Sequence, residues 1–238
     1  MVRLTARSLL GRRRLLVLLA LPAVLLALCI AIRLLAGSDE KLAVGLLSTF
    51  ALGTVVPLLA LIAGTGAIGP EIDDGSIVYL LSKPLSRPAI VHSKLAVASA
   101  TVVALAAVPT LVAGLVLTGT ADRVALGFAV AAAVAGVTYC ALFLLLAVVT
   151  RNAVVIGLLY ALIWETVVGG FIPGAQALSV QQWSLTLAER IVGDRAEPLG
   201  LTAAVSLGTG VPLLAVLLVA STWFAGRRLR TLRISESA

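Results

Sequence analysis

A chain of 238 residues that is 61% hydrophobic and only 12% charged, with mean hydropathy +1.13, lies far from soluble composition. Soluble domains run nearer about 45–50% apolar and about 25% charged. The net charge of +7 would suggest nucleic acid in a soluble protein. Here the basic residues flank apolar runs, so composition points to a polytopic membrane protein with no nucleic-acid partner.

Residues 1–14 carry five arginines. Leu4, Leu9 and Leu10 can face lipid while Arg3, Arg7 and Arg14 face headgroups, which predicts a short interfacial helix. The apolar run 15–37 is a first span of 23 residues, about 34 Å of helix and enough to cross the hydrocarbon core. It is too long for a cleaved signal and five more spans follow it. Further spans are expected at 42–68, 95–117, 124–149, 153–171 and 200–224, with a basic tail at 225–238. All six belong to one all-α transmembrane domain covering 1–238.

Charge sets the orientation. With both termini inside, thirteen basic residues fall on the inner side. Lys41, Arg123, Arg190 and Arg195 fall outside, and Arg33 snorkels near the outer face. Positive charge concentrates on the cytoplasmic side of membrane proteins, so cytoplasmic termini are expected. Arginine outnumbers lysine and alanine, leucine and valine dominate, which suggests a bacterial plasma membrane.

Prolines 22, 57, 109 and 212 lie within spans and predict kinks. The four-residue spacings Ala129/Ala133, Gly136/Cys140, Gly157/Ala161 and Gly170/Gly174 would allow close helix approach, although an alanine-rich chain makes such pairs by chance. Cys29 and Cys140 read as small hydrophobes.

The longest polar interruption on the inner side is residues 69–94, GPEIDDGSIVYLLSKPLSRPAIVHSK. Pro70 suits a first helical position, and Glu71, Asp73 and Asp74 favour the positive end of a helix dipole. Ile77, Leu80 and Leu81 share one face. Lys83-Pro84 breaks the helix, and Ser86 or Arg87 caps the next. The expected coupling region, 70–92, is thus a short amphipathic helix, a break, and a second helix entering the membrane.

Elsewhere the chemistry is sparse. Gly64-Thr65-Gly66-Ala67-Ile68-Gly69 matches a dinucleotide fingerprint in letters but lacks the strand–turn–helix context, and reads as a loosened helix end. No Walker pattern occurs, so no ATP hydrolysis is expected from this chain alone. His92 is the single histidine, without ligand spacing around it, so no metal site is expected. Glu165 is a carboxylate inside a span, a functional position by default. With Trp164 beside it marking the outer interface, two readings stay open: a gating or substrate role at the outer end, or a carboxylate that simply faces water at the outer mouth.

The pattern Glu71, Asp73, Gly75, Ser76, Leu80, Leu81, Pro84, Ser86, Arg87 and Lys94 resembles the cytoplasmic loop of ABC-2-type transporter permeases. More narrowly, it resembles the subgroup containing the nitrous-oxide-reductase maturation permease. The resemblance implies a coupling helix that docks on a separate ATP-binding subunit, which carries ATP and Mg, and two permease protomers per complex. It assigns Glu71, Asp73, Asp74, Gly75 and Ser76 to ATPase coupling, and Arg87 and Lys94 to anchoring at inner headgroups. Residues 164–174 resemble the family's turn into outer re-entrant helices, with a short helix at 178–191. The function implied is an ATP-driven exporter. An ion-gradient-driven transporter and a non-transporting binding or immunity protein remain open as alternatives.

Overall fold

The computed structural model describes residues 12–73, 87–119, 123–168 and 174–231. Among these residues all regular structure is helical. Five helices are long and apolar enough to cross a membrane, and Ala153–Glu165 is a shorter apolar helix.

Helix α1 spans Arg12–Ala36. Helix α2 starts where the Asp39 carboxylate accepts from the amides of Lys41 and Leu42 at 2.9 and 3.3 Å, satisfying donors that no earlier turn can. It runs as α over Glu40–Leu46, π over Leu47–Val55 and α again over Val56–Asp73. Helix α3 is α over Arg87–Val102, π over Val103–Ala107 and α over Val108–Thr118. Helix α4 spans Arg123–Val149. Helix α5 is α over Ala153–Leu159 and π over Tyr160–Val168. Helix α6, Val180–Val192, is amphipathic, and α7 spans Leu207–Thr231.

Two of the wide turns have a proline just beyond them. Pro57 follows the π segment of α2, where the Val56 amide reaches back five residues to the Ala51 carbonyl. Pro109 follows that of α3. A proline ring collides with the carbonyl four residues back, and a wider turn relieves that contact. Pro22 and Pro212 instead stand inside regular α-helix.

Helix α4 is the central post, packed on α2, α3, α5, α6 and α7. About 61% of the apolar windows of α2 and α4 is buried, against 22% for α1 and 17% for α7, so the first two form the core and the others flank it. Gly136 abuts Val102, and Gly157 abuts Leu61 and Phe143, so these two spacings do mark close approaches. Both cysteines are buried thiols.

The helices alternate in direction and define two ends. One end holds Glu71, Lys94 and Arg151. The other holds Asp39, Glu165 and α6. There Arg33 donates to the Leu117 carbonyl at 3.2 Å, covering an orphan of the last turn of α3. Glu40 and Arg195 pair at 2.7 Å in the open, a contact worth about 0–1 kcal/mol.

Several boundaries differ from those expected. Pro70 does not open a helix: α2 continues through it to Asp73. Proline removes only its own donor, and near a helix end one missing bond is tolerated. The run Gly64 to Gly69 is regular helix rather than a loosened end, because a Cβ at Gly64 would stand 2.9 Å from the Cys140 carbonyl and bare backbone packs there instead. The last helix begins at Leu207 and reaches Thr231, later than the apolar run suggested. Of the interfacial helix expected at 1–14, residues 1–11 lie outside the described residues and 12–14 begin α1; residues 74–86 of the expected coupling region 70–92, and Gly170, also lie outside them.

Candidate functional site

The stems of the 74–86 segment are α2 and α3, and one side chain joins them. Lys94 is eight residues into α3 and only 2% exposed. A lysine this near a helix end ordinarily snorkels to water. Here its Nζ turns toward α2 and donates to the Ala67 carbonyl at 2.7 Å and to Glu71 Oε1 at 2.6 Å. Ala67 and Glu71 are four apart and so share one face of α2. The reading of Lys94 as a headgroup anchor is therefore corrected: a buried ammonium needs partners, and it finds both within the protein. Glu71 is about a third exposed. Its Oε1 accepts from Lys94, so the carboxylate expected to dock on a partner is engaged inside the chain.

At the same end of the bundle, a cleft of about 490 Å³ opens between the end of α2 and the α4–α5 turn. Thr65, Gly69 and Pro70 form one wall, and Ala147, Thr150 and Arg151 another. Asp73 ends α2 and Arg87 begins α3. Asp74, Gly75 and Ser76 lie outside the described residues. His92 donates from Nδ1 to the Pro88 carbonyl at 2.7 Å, one turn back on its own helix.

At the other end, Glu165 has no solvent exposure at all. Facing water at the outer mouth is thus corrected to full burial. Its Oε1 accepts from the Tyr160 hydroxyl at 2.9 Å and the Val180 amide at 3.2 Å. Its Oε2 accepts from the Ser179 hydroxyl and from the Gln181 amide at 3.4 Å. Four donors, two per oxygen, match the acceptor sites of a carboxylate. Two of them are first-turn amides of α6, where the helix dipole also favours a carboxylate. Glu165 thus pins the end of α5 to the start of α6. Trp164 is half-buried, its Nε1 3.5 Å from the Leu178 carbonyl.

A chamber of about 210 Å³ adjoins the clamp, lined by Ser48, Thr49, Gln176, Gln181 and Gln182 among others. Gln181 Nε2 donates to the Ser48 carbonyl at 2.6 Å, linking α6 to the wide turn of α2. The buried Tyr139 hydroxyl adjoins Glu165 from α4 without reaching hydrogen-bond geometry. Tyr139, Phe143 and Tyr160 form a ring chain with centroids 6.0 and 6.2 Å apart, which fixes Tyr160.

Sequence reasoning missed Ser179, Tyr160 and Gln181. A signal existed for the first: Ser179-Val-Gln-Gln182 is a capping-box pattern, and Ser179 does accept from the Gln182 amide at 3.3 Å.

No curated protein matches the chain. The family model described as ABC-2 family transporter protein matches residues 3–224. That match covers nearly all of the apolar helices, so this multi-pass membrane protein belongs to the ABC-2 family of transporters and is a permease of an ABC transporter.

Proposed function

We propose that this chain is the permease subunit of an ATP-driven exporter in a bacterial plasma membrane, with six spans and both termini cytoplasmic. The observation that carries the reading is the family match over a helical bundle whose longest polar interruption on the expected inner side joins two long helices. In this reading that side is cytoplasmic, and residues 74–86 with Asp73 meet a separate ATP-binding subunit. ATP and Mg belong to that subunit. Two permease protomers face each other, and closure of the ATPase pair moves α2 and α3 through the loop. Motion follows only if the ATPase contacts differ between the two states. Asp73, Asp74, Gly75 and Ser76 are the docking positions, with Gly75 allowing close backbone approach. Arg87 stands at the headgroup level. The loop pattern supports the nitrous-oxide-reductase maturation subgroup as the nearest functional class. Ala153–Glu165 is the fifth span, its end tied to the start of α6 through Glu165.

Gly75→Trp should leave membrane insertion unchanged and abolish co-purification of the ATP-hydrolysing partner from native membranes. Full retention of the partner, with normal hydrolysis in the complex, would remove this loop from the coupling role. Orientation has its own check. A reporter after Ala238 should read cytoplasmic, and one inserted at Gly193 should read external. Both on one side overturns the six-span arrangement.

A further inference from the structure

We propose that Lys94 is a positioning residue for transport: a splint across the glycine- and proline-containing turn at the end of α2, which makes the two stems of the coupling loop move as one body. The inference rests on the permease reading above and adds to it the residue that carries motion out of the loop.

Two independent observations meet at this point. The first is the softness of α2 where it approaches the loop. Gly64, Gly66 and Gly69 lie in its last three turns, followed by Pro70. Glycine is among the poorest helix formers, and Pro70 offers no amide to the carbonyl of Gly66. A push arriving from 74–86 would be absorbed by bending there. The second is the placement of the Lys94 ammonium. It holds Ala67 on one side of Gly69-Pro70 and Glu71 on the other. Its own helix is α3, so one Nζ bridges the soft turn lengthwise and ties α2 to α3 across 23 and 27 residues of sequence.

The clamp stands close to the loop mouth. Glu71 is two residues before the end of α2, and Lys94 is seven after the start of α3, about 3 and 10 Å along the helices. Of the charged side chains described, only Lys94 and Glu165 are buried. A lysine that served solubility or headgroup contact would not be found there. With the splint in place, displacement at the loop turns into joint movement of α2 and α3 against α4. Without it, the loop moves and the bundle stays.

The test uses the complex of this chain with its ATP-binding subunit in lipid nanodiscs. Hydrogen–deuterium exchange is read with and without ATP plus vanadate. Lys94→Met should insert, bind the partner and support ATP hydrolysis. It should exchange faster by several-fold in residues 66–73 and lose the ATP-dependent change in α6. Gly69→Ala then supplies the discriminating arm. A Cβ at Gly69 meets nothing within 4 Å, so alanine fits, and the step from glycine favours helix about fivefold. In the Lys94→Met background it should restore slow exchange at the end of α2 and return the ATP-dependent response of α6. If Lys94→Met keeps that response, or if Gly69→Ala restores nothing, Lys94 is not a splint. Loss of partner binding by Lys94→Met would also overturn the inference, by making Lys94 part of docking. If the unaltered chain brings down no ATP-hydrolysing partner, the permease reading itself fails, and that outcome is separate from the other three.

Discussion

Glu165→Leu should leave the protein extractable only as an unstable species, with loss of at least about 3 kcal/mol of stability, because each buried donor left without an acceptor costs about 1–3 kcal/mol. Four donors lose their acceptor at once: the Tyr160 and Ser179 hydroxyls and the Val180 and Gln181 amides. Leucine fills the volume but offers nothing to any of them. The costs are not additive, since the start of α6 can move toward water. That escape separates α6 from α5 and opens the adjoining chamber, so a small loss of stability would come with a large loss of order in α6. Glu165→Gln should fall between the two. Its single carbonyl can still accept twice, but its amide group turns donor against donor. Thermal unfolding in mild detergent, with exchange read in residues 180–192, makes the comparison. A leucine variant that melts within a degree or two of the parent and protects α6 normally would show that the clamp does not hold this end together.

The second large effect is steric. Gly114→Leu should prevent assembly of the α3–α4 contact, and even Gly114→Ala should lower stability by about 1–3 kcal/mol, the range for overpacked cores. A Cβ built on Gly114 would stand 2.7 Å from both the Cα and the Cβ of Ala125. Those atoms belong to the first turn of α4 and have no rotamer to change, so one helix must be displaced. Gly45 is the matched control, also helical but with nothing within 4 Å of the place a methyl would take. Alanine there should be neutral or mildly stabilising. Membrane yield and the unfolding midpoint of the three variants decide the matter. Equal midpoints for Gly114→Leu and Gly45→Ala would mean that α3 and α4 are not in contact at Ala125.

How much is legible in the sequence can be seen at particular residues. The apolar runs are read from composition alone, because a helix buried on most sides needs no stripe. Pro57 and Pro109 announce irregular backbone, and the irregularity is there, as wide turns. Pro70 misleads, since a proline that can begin a helix can also be crossed by one near its end. The roles of Lys94 and Glu165 are hidden for one reason. Each is fixed by partners that sequence does not place: 23 and 27 residues away for the lysine, and 14 to 16 for most of the glutamate's donors. From sequence, Glu165 reads as a costly charge inside a span and Lys94 as a charge at the headgroups. Burial with partners inside the protein is the outcome for both, and nothing in local periodicity distinguishes it from exposure.

The wide turns of α2 and α5 lie toward the Glu165 end, and that of α3 lies midway. The Lys94 halves of the same helices are regular α. A π turn holds one residue more than an α turn, so tightening it hands a single residue to the next segment. Everything beyond then rotates by about 100° and steps by about 1.5 Å. Such a slip re-aims a set of side chains with no bend in the axis and no broken helix. The bundle therefore has a gear at one end and a shaft at the other: register is interchangeable near Glu165 and fixed near Lys94.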